Sequence, residues 1–245
     1  MNMLLFTEED LTAPGIARVS GRRFRQLTEI IKAEPGKFCK AGILRGGTGR
    51  AELLRIDGET AEFALHLDGE PPPPLAVTLV AALPRPLTFA KVLHGAVTAG
   101  VKRICFIHSS KVEKSYWQSS RIAPEEVKEA VTLALEQCAD TVPPEITFHP
   151  RFKPFVEDLL PALAAGGTAL LGSPGAAESV PVGAARRGGV LLAVGPEGGF
   201  SEYEESLLTE AGLRPVSLGA RILRTEFAVA SLLALLGAEQ GGEFL

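Results

Sequence analysis

Cysteine is scarce in this chain, and so are the residue patterns of a metal site, a secreted module or a membrane span. Cys39, Cys105 and Cys138 are widely spaced, odd in number and form no CxxC pair. That excludes a small-domain disulfide framework and points to a reducing cytoplasm. His66, His94, His108 and His149 are scattered, with no HExxH and no neighbouring cysteine, so no metal is expected. The start MNMLLFTEED turns acidic too early for a signal peptide. The longest strongly apolar run, residues 227–238, is too short to cross a bilayer and suits a buried helix, so no membrane partner is expected. Neither GxGxxG nor GxxxxGK(S/T) occurs, and LGSPG at 171–175 lacks the GxSxG spacing of a nucleophile elbow. A basic excess is missing too: 25 Lys and Arg face 29 Asp and Glu, a net charge of −4 over 245 residues. A uniformly basic nucleic-acid binder is excluded; a local basic patch is not.

The charge that is present is unevenly placed. Residues 18–50 hold nine basic side chains against two acidic ones, and residues 102–121 five against one. Residues 195–245 hold three against eight. A balance of +7 in one short window of an acidic chain suggests a surface that meets phosphates. Arg22, Arg23, Arg25 and Lys32 in the first window, and Lys111 and Lys114 in the second, are the candidate phosphate contacts, for nucleic acid if that is the partner. Trp117, beside Tyr116, has two possible uses: stacking on a base, or packing its loop against the body, which is the commoner one.

Hydrophobic residues make up 46% of the chain and charged residues 22%, as in an ordinary globular protein. Strand-like pieces RFRQLTEII, KFCKAGIL, RAELLRI and TAEFALHL occupy the first seventy residues, separated by GGTG at 46–49 and by Asp57-Gly58 and Asp68-Gly69; the one place that also admits a helical pattern is Arg22–Ile31. A small β-barrel over 1–72 is expected, closed off by the stiff run Pro71–Pro74. Over 73–245 the period changes. Buried-strand candidates at 75–83, 101–108, 167–172 and 188–195 alternate with helical patterns at 86–100, 124–138 and, with proline irregularity, after Arg151. Leu87, Ala90, Leu93 and Val97 mark the inward side of the first helix. Val127, Ala130, Val131, Ala134, Leu135 and Cys138 mark that of the second. Such alternation implies an α/β domain with a mostly parallel sheet covered on both faces.

Two segments carry the candidate chemistry. In VLLAVGPEGGFSEYEESLLTEAG a buried strand runs into Gly195–Phe200, and Ser201 with Glu204 forms a capping box that opens a helix stopped at Gly212. Glycines there let the backbone approach a ligand, and a helix start offers unpaired N–H groups. In RPVSLGARILRTEFAVASLLALLGA a strand ends at Leu218-Gly219, and Arg221, Arg224 and Glu226 crowd the approach to a very apolar helix. Arg224 and Glu226 are either an ion pair or groups that face a substrate at the sheet's edge.

GPEGGFSEYE and LGARILRTE, taken together, resemble the signature loops of the RsmE family, SPOUT-class enzymes that methylate N3 of a uridine in bacterial 16S ribosomal RNA. AKVLHGAVTAGVKRI and LEQC are more weakly similar to its first helix and strand and its Glu-Gln helix, and the basic N-terminal part to its PUA-like barrel. The resemblance implies a C-terminal trefoil knot, a homodimer through the knotted domain, bound S-adenosylmethionine, and 16S rRNA or the small ribosomal subunit as partner. By motif match the cofactor loops are Leu171-Gly172, then Gly195, Pro196, Glu197, Gly198 and Gly199, then Leu218-Gly219 through Ile222, Leu223 and Arg224. Uracil N3 attacks poorly until it loses its proton. Arg224 is therefore the expected stabiliser of the uracil anion, and Glu226 its orienter or the proton acceptor. Glu197 either balances the sulfonium or ties down its own loop. The chain departs from the family at Thr98-Ala99-Gly100, Cys138-Ala139, Phe227 and Ile30-Ile31-Lys32, which bears on RNA-facing groups more than on the cofactor loops. The alternatives are a SPOUT enzyme acting on a ribose oxygen or another base, and a non-catalytic RNA-binding assembly protein of this fold.

Overall fold

Six strands, the longer ones alternating inward and outward residues, open the chain in the computed structural model, which describes residues 2–239. They are β1 (Leu4–Phe6), β2 (Leu11–Ala13), β3 (Ile16–Val19), β4 (Phe38–Ile43), β5 (Thr48–Asp57) and β6 (Thr60–Gly69). They hydrogen-bond in the order β1-β4-β5-β6-β3-β2, antiparallel except for β1 beside β4. Gly58, at φ +56°, turns the β5–β6 hairpin. The inward residues Ala17, Val19, Ala41, Ala51, Leu53, Ala61 and Phe63 bury against Leu4, Phe6 and Leu27. The Phe6 and Phe63 rings meet edge to face at 5.6 Å.

The sheet curls as a half-barrel, and its end strands β1 and β2 do not pair with each other among the described residues. Of the two readings open over Arg22–Ile31 the helical one holds: α1 (Gly21–Arg25) runs into a π-helical turn, Gln26–Ile31. Phe24 and Leu27, three apart, both turn to the core, and the Thr28 hydroxyl donates to the Phe24 carbonyl at 3.0 Å. The local period is that of a helix.

A compact unit forms from Met1–Pro73 together with Thr132–Pro143, and a second from Pro74–Val131 together with Pro144–Leu245. The first therefore recruits a distant stretch of chain. The amides of Asn2 and Met3 donate to the Glu136 carbonyl, and the Arg45 amide donates to Thr141. Arg22 grips the buried Glu136 carboxylate with two bonds of 2.9 and 2.8 Å.

The second unit alternates as expected. Its elements are β7 (Leu75–Ala82), α2 (Pro86–Thr98), β8 (Val101–Ile107), the part of α3 (Pro124–Cys138) up to Val131, and β9 (Glu145–His149). Then follow α4 (Phe152–Pro154), α5 (Leu160–Ala164), β10 (Thr168–Gly172), α6 (Ala184–Arg187), β11 (Val190–Val194), α7 (Glu202–Glu210), β12 (Arg214–Val216) and α8 (Thr225–Gly237). All six strands are parallel, in the order β12-β10-β11-β7-β8-β9. The apolar runs follow from burial on both faces; every residue of β11 is buried. Pro154 and Pro161 interrupt the helix after Arg151, which passes through a π-turn, Phe155–Leu159, between α4 and α5. The buried side of α2 is Phe89, Val92, Leu93, Ala96 and Val97, while Leu87 is exposed. The expected face was rotated, because Phe89 turns inward to meet Phe106 at 4.8 Å. From β7 the chain goes first to β8 and β9 and only then to β10 and β11 on the other side. Such a reversal leaves a crevice at the carboxyl ends of the strands.

Candidate active site

The loop after β11 has no room for side chains where it turns. A Cβ on Gly195 would lie 2.8 Å from the Phe200 nitrogen. The Gly199 amide closes a turn onto the Pro196 carbonyl at 2.8 Å, and Gly199 sits at φ +68°. Ser201 caps α7 reciprocally: its Oγ accepts from the Glu204 amide, and Glu204 Oε2 accepts from the Ser201 amide at 2.9 Å. The same carboxylate reaches the chain beyond β8, accepting from Ser109 Oγ at 3.1 Å, the Ser110 amide at 2.6 Å and Ser110 Oγ at 3.2 Å. Burial pushes the Glu204 carboxyl up, but the donors from Ser201, Ser110 and Ser109 outweigh it and hold it below its ordinary value. Lys111 adds a second fastening, with Nζ donating to the carbonyls of Gly198 at 2.7 Å and Phe200 at 3.2 Å. Glu197 Oε1 accepts from the Arg85 amide at the start of α2, 3.1 Å away.

Three loops from neighbouring strand ends converge on one pocket: Gly172–Pro174, Val194–Gly199 and Val216–Leu223. Thr225, Ala228 and Leu232 of α8 complete its lining. A Cβ on Gly172 would lie 3.1 Å from Leu232, so glycine keeps that wall thin. Gly219 turns at φ +106° and leaves Ile222 84% exposed, with Leu223 beside it.

Arg224 is the N-cap residue of α8 and is exposed. Glu226 is not bonded to it; its Oε1 accepts from Lys91 Nζ on α2, at 3.2 Å. The Glu226 carboxyl is held below its ordinary value by its own backbone amide, against the opposing effect of burial, and further by Lys91 and the nearby Arg224 charge.

The family model for the RNA methyltransferase domain matches residues 71–237. The ribosomal RNA small subunit methyltransferase E of Treponema pallidum is 30% identical over 240 residues, covering 96% of this chain and 90% of that protein. The chain belongs to the RsmE family. The Mycobacterium tuberculosis member is 27% identical over 245 residues, with 97% of this chain and 92% of that protein covered. The crystal structure of the Neisseria gonorrhoeae member, bound to S-adenosyl methionine, has a TM-score of 0.71 at 24% identity, covering 95% of each chain. That likeness shows a shared fold.

Of the residues that the RsmE resemblance marked, Gly172, Gly195, Pro196, Glu197, Gly199, Leu218, Gly219, Ile222 and Leu223 line the one pocket. Leu171 is buried within β10, and a Cβ on Gly198 would meet the Lys111 side chain at 3.0 Å. Sequence reasoning passed over Ser173 and Pro174, although Gly172 after a buried strand is the same signal as Gly195. It also passed over Lys91. Among the candidate RNA contacts, Arg22 is held by Glu136, and Arg23 by Asp10 through bonds of 2.7 Å. Arg25 and Lys32 are exposed in the first unit. Lys114 is exposed in the second, and Lys111 there is spent on the glycine loop. Trp117 is half-buried and donates to His108 Nδ1 at 3.1 Å, so it packs its loop. Among the described residues no helix is long and apolar enough to cross a membrane, and no His, Cys, Asp and Glu group could hold a metal.

Proposed function

We propose that this protein transfers a methyl group from S-adenosylmethionine to N3 of a uridine in 16S ribosomal RNA. The observation that carries the reading is the convergence of three backbone loops on one pocket at the carboxyl ends of adjacent parallel strands, with Arg224 at the adjoining helix start. The pocket suits that cofactor in kind. Gly172 and Gly195 leave backbone where a Cβ has no room, and Val194, Leu218, Ile222 and Leu223 offer apolar cover for a purine. Gly195 to Gly199, Leu218 and Gly219 would hold it mainly through backbone groups. When bound, it supplies an electrophilic methyl on a sulfonium.

The chain's own residues do the rest. The loops fix the direction of approach, and positioning of this kind supplies much of the catalysis in a simple displacement. Arg224 faces the charge that grows on the uracil carbonyl oxygens as N3 gives up its proton. Glu226, bonded to Lys91 on α2 rather than to Arg224, ties the start of α8 to α2 beside the site. Glu197 ties the glycine loop to the start of α2.

The wider assignment follows the same family. The first unit grips RNA through its basic window and the second methylates it, in the assembled small subunit, as a homodimer. The segments after β10 and after β12 support a trefoil knot. Ser179 pairs in parallel with Ser217, the Gly183 amide donates to the Leu235 carbonyl at 2.8 Å, and Arg186 donates to the Gly237 carbonyl at 2.8 Å. Phe227, exposed on the same unit and outside the pocket lining, supports a partner there.

The test is to incubate 30S particles and free 16S rRNA, both unmethylated, with enzyme and labelled S-adenosylmethionine, and to map the product by mass spectrometry. Methyl at a uridine N3 is the expected result; transfer elsewhere or none overturns the reading. Arg224→Ala is expected to lower turnover by roughly a hundredfold or more, while calorimetry still detects cofactor binding.

A further inference from the structure

On the outer face of the first unit's sheet, three planar side chains come together outside the pocket. Phe38 opens β4 with its ring 52% exposed, whereas the next residue, Cys39, turns toward the core. The register sets Lys40 opposite Arg50, and Arg50 opposite His66. Phe38 therefore has two flat cationic or polar neighbours. The Arg50 guanidinium carbon lies 5.0 Å from its ring centroid, and the His66 ring lies 6.2 Å away, tilted by 45°. Arg50, His66 and Lys40 are all exposed. Glu52, half-buried, stands opposite Phe38, and Asp68 follows two residues after His66.

A lone exposed phenylalanine needs no explanation. This one is distinguished by its surroundings. An interface for another protein surrounds an anchor ring with apolar side chains and sheds charge at its centre. Here the ring is flanked by a guanidinium and an imidazole, with Lys37 and Lys40 on either side of it in sequence, inside the window that carries nine basic residues against two acidic ones. Aromatic and guanidinium planes beside free ammonium groups are the parts from which single-stranded nucleic-acid sites are made.

We propose that Phe38, Arg50 and His66 form a stacking platform for an unpaired base of single-stranded RNA, with Lys40 meeting the adjoining phosphate. The platform rests on the reading that the substrate is RNA, and it adds a contact far along the chain from the methyl-transfer loops. Stacking is tolerant of base identity, because every base has a flat face. The platform therefore grips a strand without choosing the target nucleotide.

The probe is a fluorescein-labelled ten-nucleotide oligouridine, with a duplex RNA of equal length for comparison, read by anisotropy on the full chain. Phe38→Ala is expected to weaken oligouridine binding by roughly tenfold or more with the salt slope unchanged, and to leave duplex binding as it was. Phe38→Trp is expected to restore affinity, with oligouridine quenching tryptophan emission beyond that of Trp117. Lys40→Ala is expected to flatten the salt dependence by about one phosphate contact. Unchanged oligouridine affinity in Phe38→Ala, failure of the wild type to bind the oligonucleotide, or an equal loss on duplex overturns the proposal. Methyl transfer to 30S particles is scored separately. A Phe38-dependent affinity supports the platform even if no uridine is methylated, and methylation with no Phe38 dependence removes the platform alone.

Discussion

Glu204 is a carboxylate taken out of water and given the amides of Ser201 and Ser110 and three serine hydroxyls in exchange. Without it the buried Ser109 hydroxyl loses its acceptor and the cap of α7 is half undone, so Glu204→Ala is expected to cost about 2 kcal/mol of stability, read by urea unfolding. Its pH dependence has a defined sign. The folded pKa lies below the ordinary carboxylate value, so the contribution is complete above that value and disappears as pH falls through the folded one. Acid titration of the wild type should therefore show a stability loss below about pH 4.5 that Glu204→Gln lacks. Half of this residue's behaviour was legible in the chain: Ser201 and Glu204 are three apart, and a capping box is a local device. Ser109 and Ser110 lie more than ninety residues away, and no pattern within a window points to them. The thiols illustrate the opposite case. Burial pushes the Cys39 and Cys105 thiols up, and nothing in their spacing along the chain pointed to it.

At the scale of elements, the glycine loop is defined by what cannot be added to it. Gly195→Ala puts a Cβ against the Phe200 amide and is expected to weaken S-adenosylhomocysteine binding by about tenfold or more in calorimetry, roughly 1.4 kcal/mol, while Gly188→Ala, in open space, leaves it unchanged. Ser201→Ala removes the cap of α7 and is expected to cost about 1 kcal/mol, a fall in Tm of about 2–4 °C. The boundaries of α3 and α7 were legible because their signals are nearest-neighbour ones: Pro124 with two glutamates in one case, Ser201 and Gly212 in the other. The face of α2 was not. Which of Leu87 and Phe89 turns inward depends on Phe106, which waits on another strand. The span 23–31 stayed open between strand and helix for a related reason: Phe24 and Leu27 settle it by turning together to a core built from other strands.

At the scale of the whole molecule, the proline run at 71–74 divides the chain, yet the first unit is not a contiguous segment. Residues 1–73 alone lose the Glu136 and Thr141 partners of Asn2, Met3, Arg22 and Arg45. Such a fragment is expected to show collapsed amide dispersion by NMR and no cooperative melting transition, whereas the intact chain melts cooperatively. A dispersed spectrum from the fragment alone would show that Thr132–Pro143 is dispensable to that fold.

The sequence by itself determined the alternation of strands and helices, the glycine loop with its capped helix, and the family, because each is written in residues a few places apart. Tertiary structure alone decided that three such loops share one pocket, that Glu226 pairs with Lys91 across 135 residues rather than with Arg224, and that the half-barrel stays open. It also put Phe38 beside Arg50 and His66. The physical reason is range. Backbone propensity and capping act within a turn or two of the chain, whereas ion pairing, ring packing and loop convergence depend on distances that only the packed sheet sets.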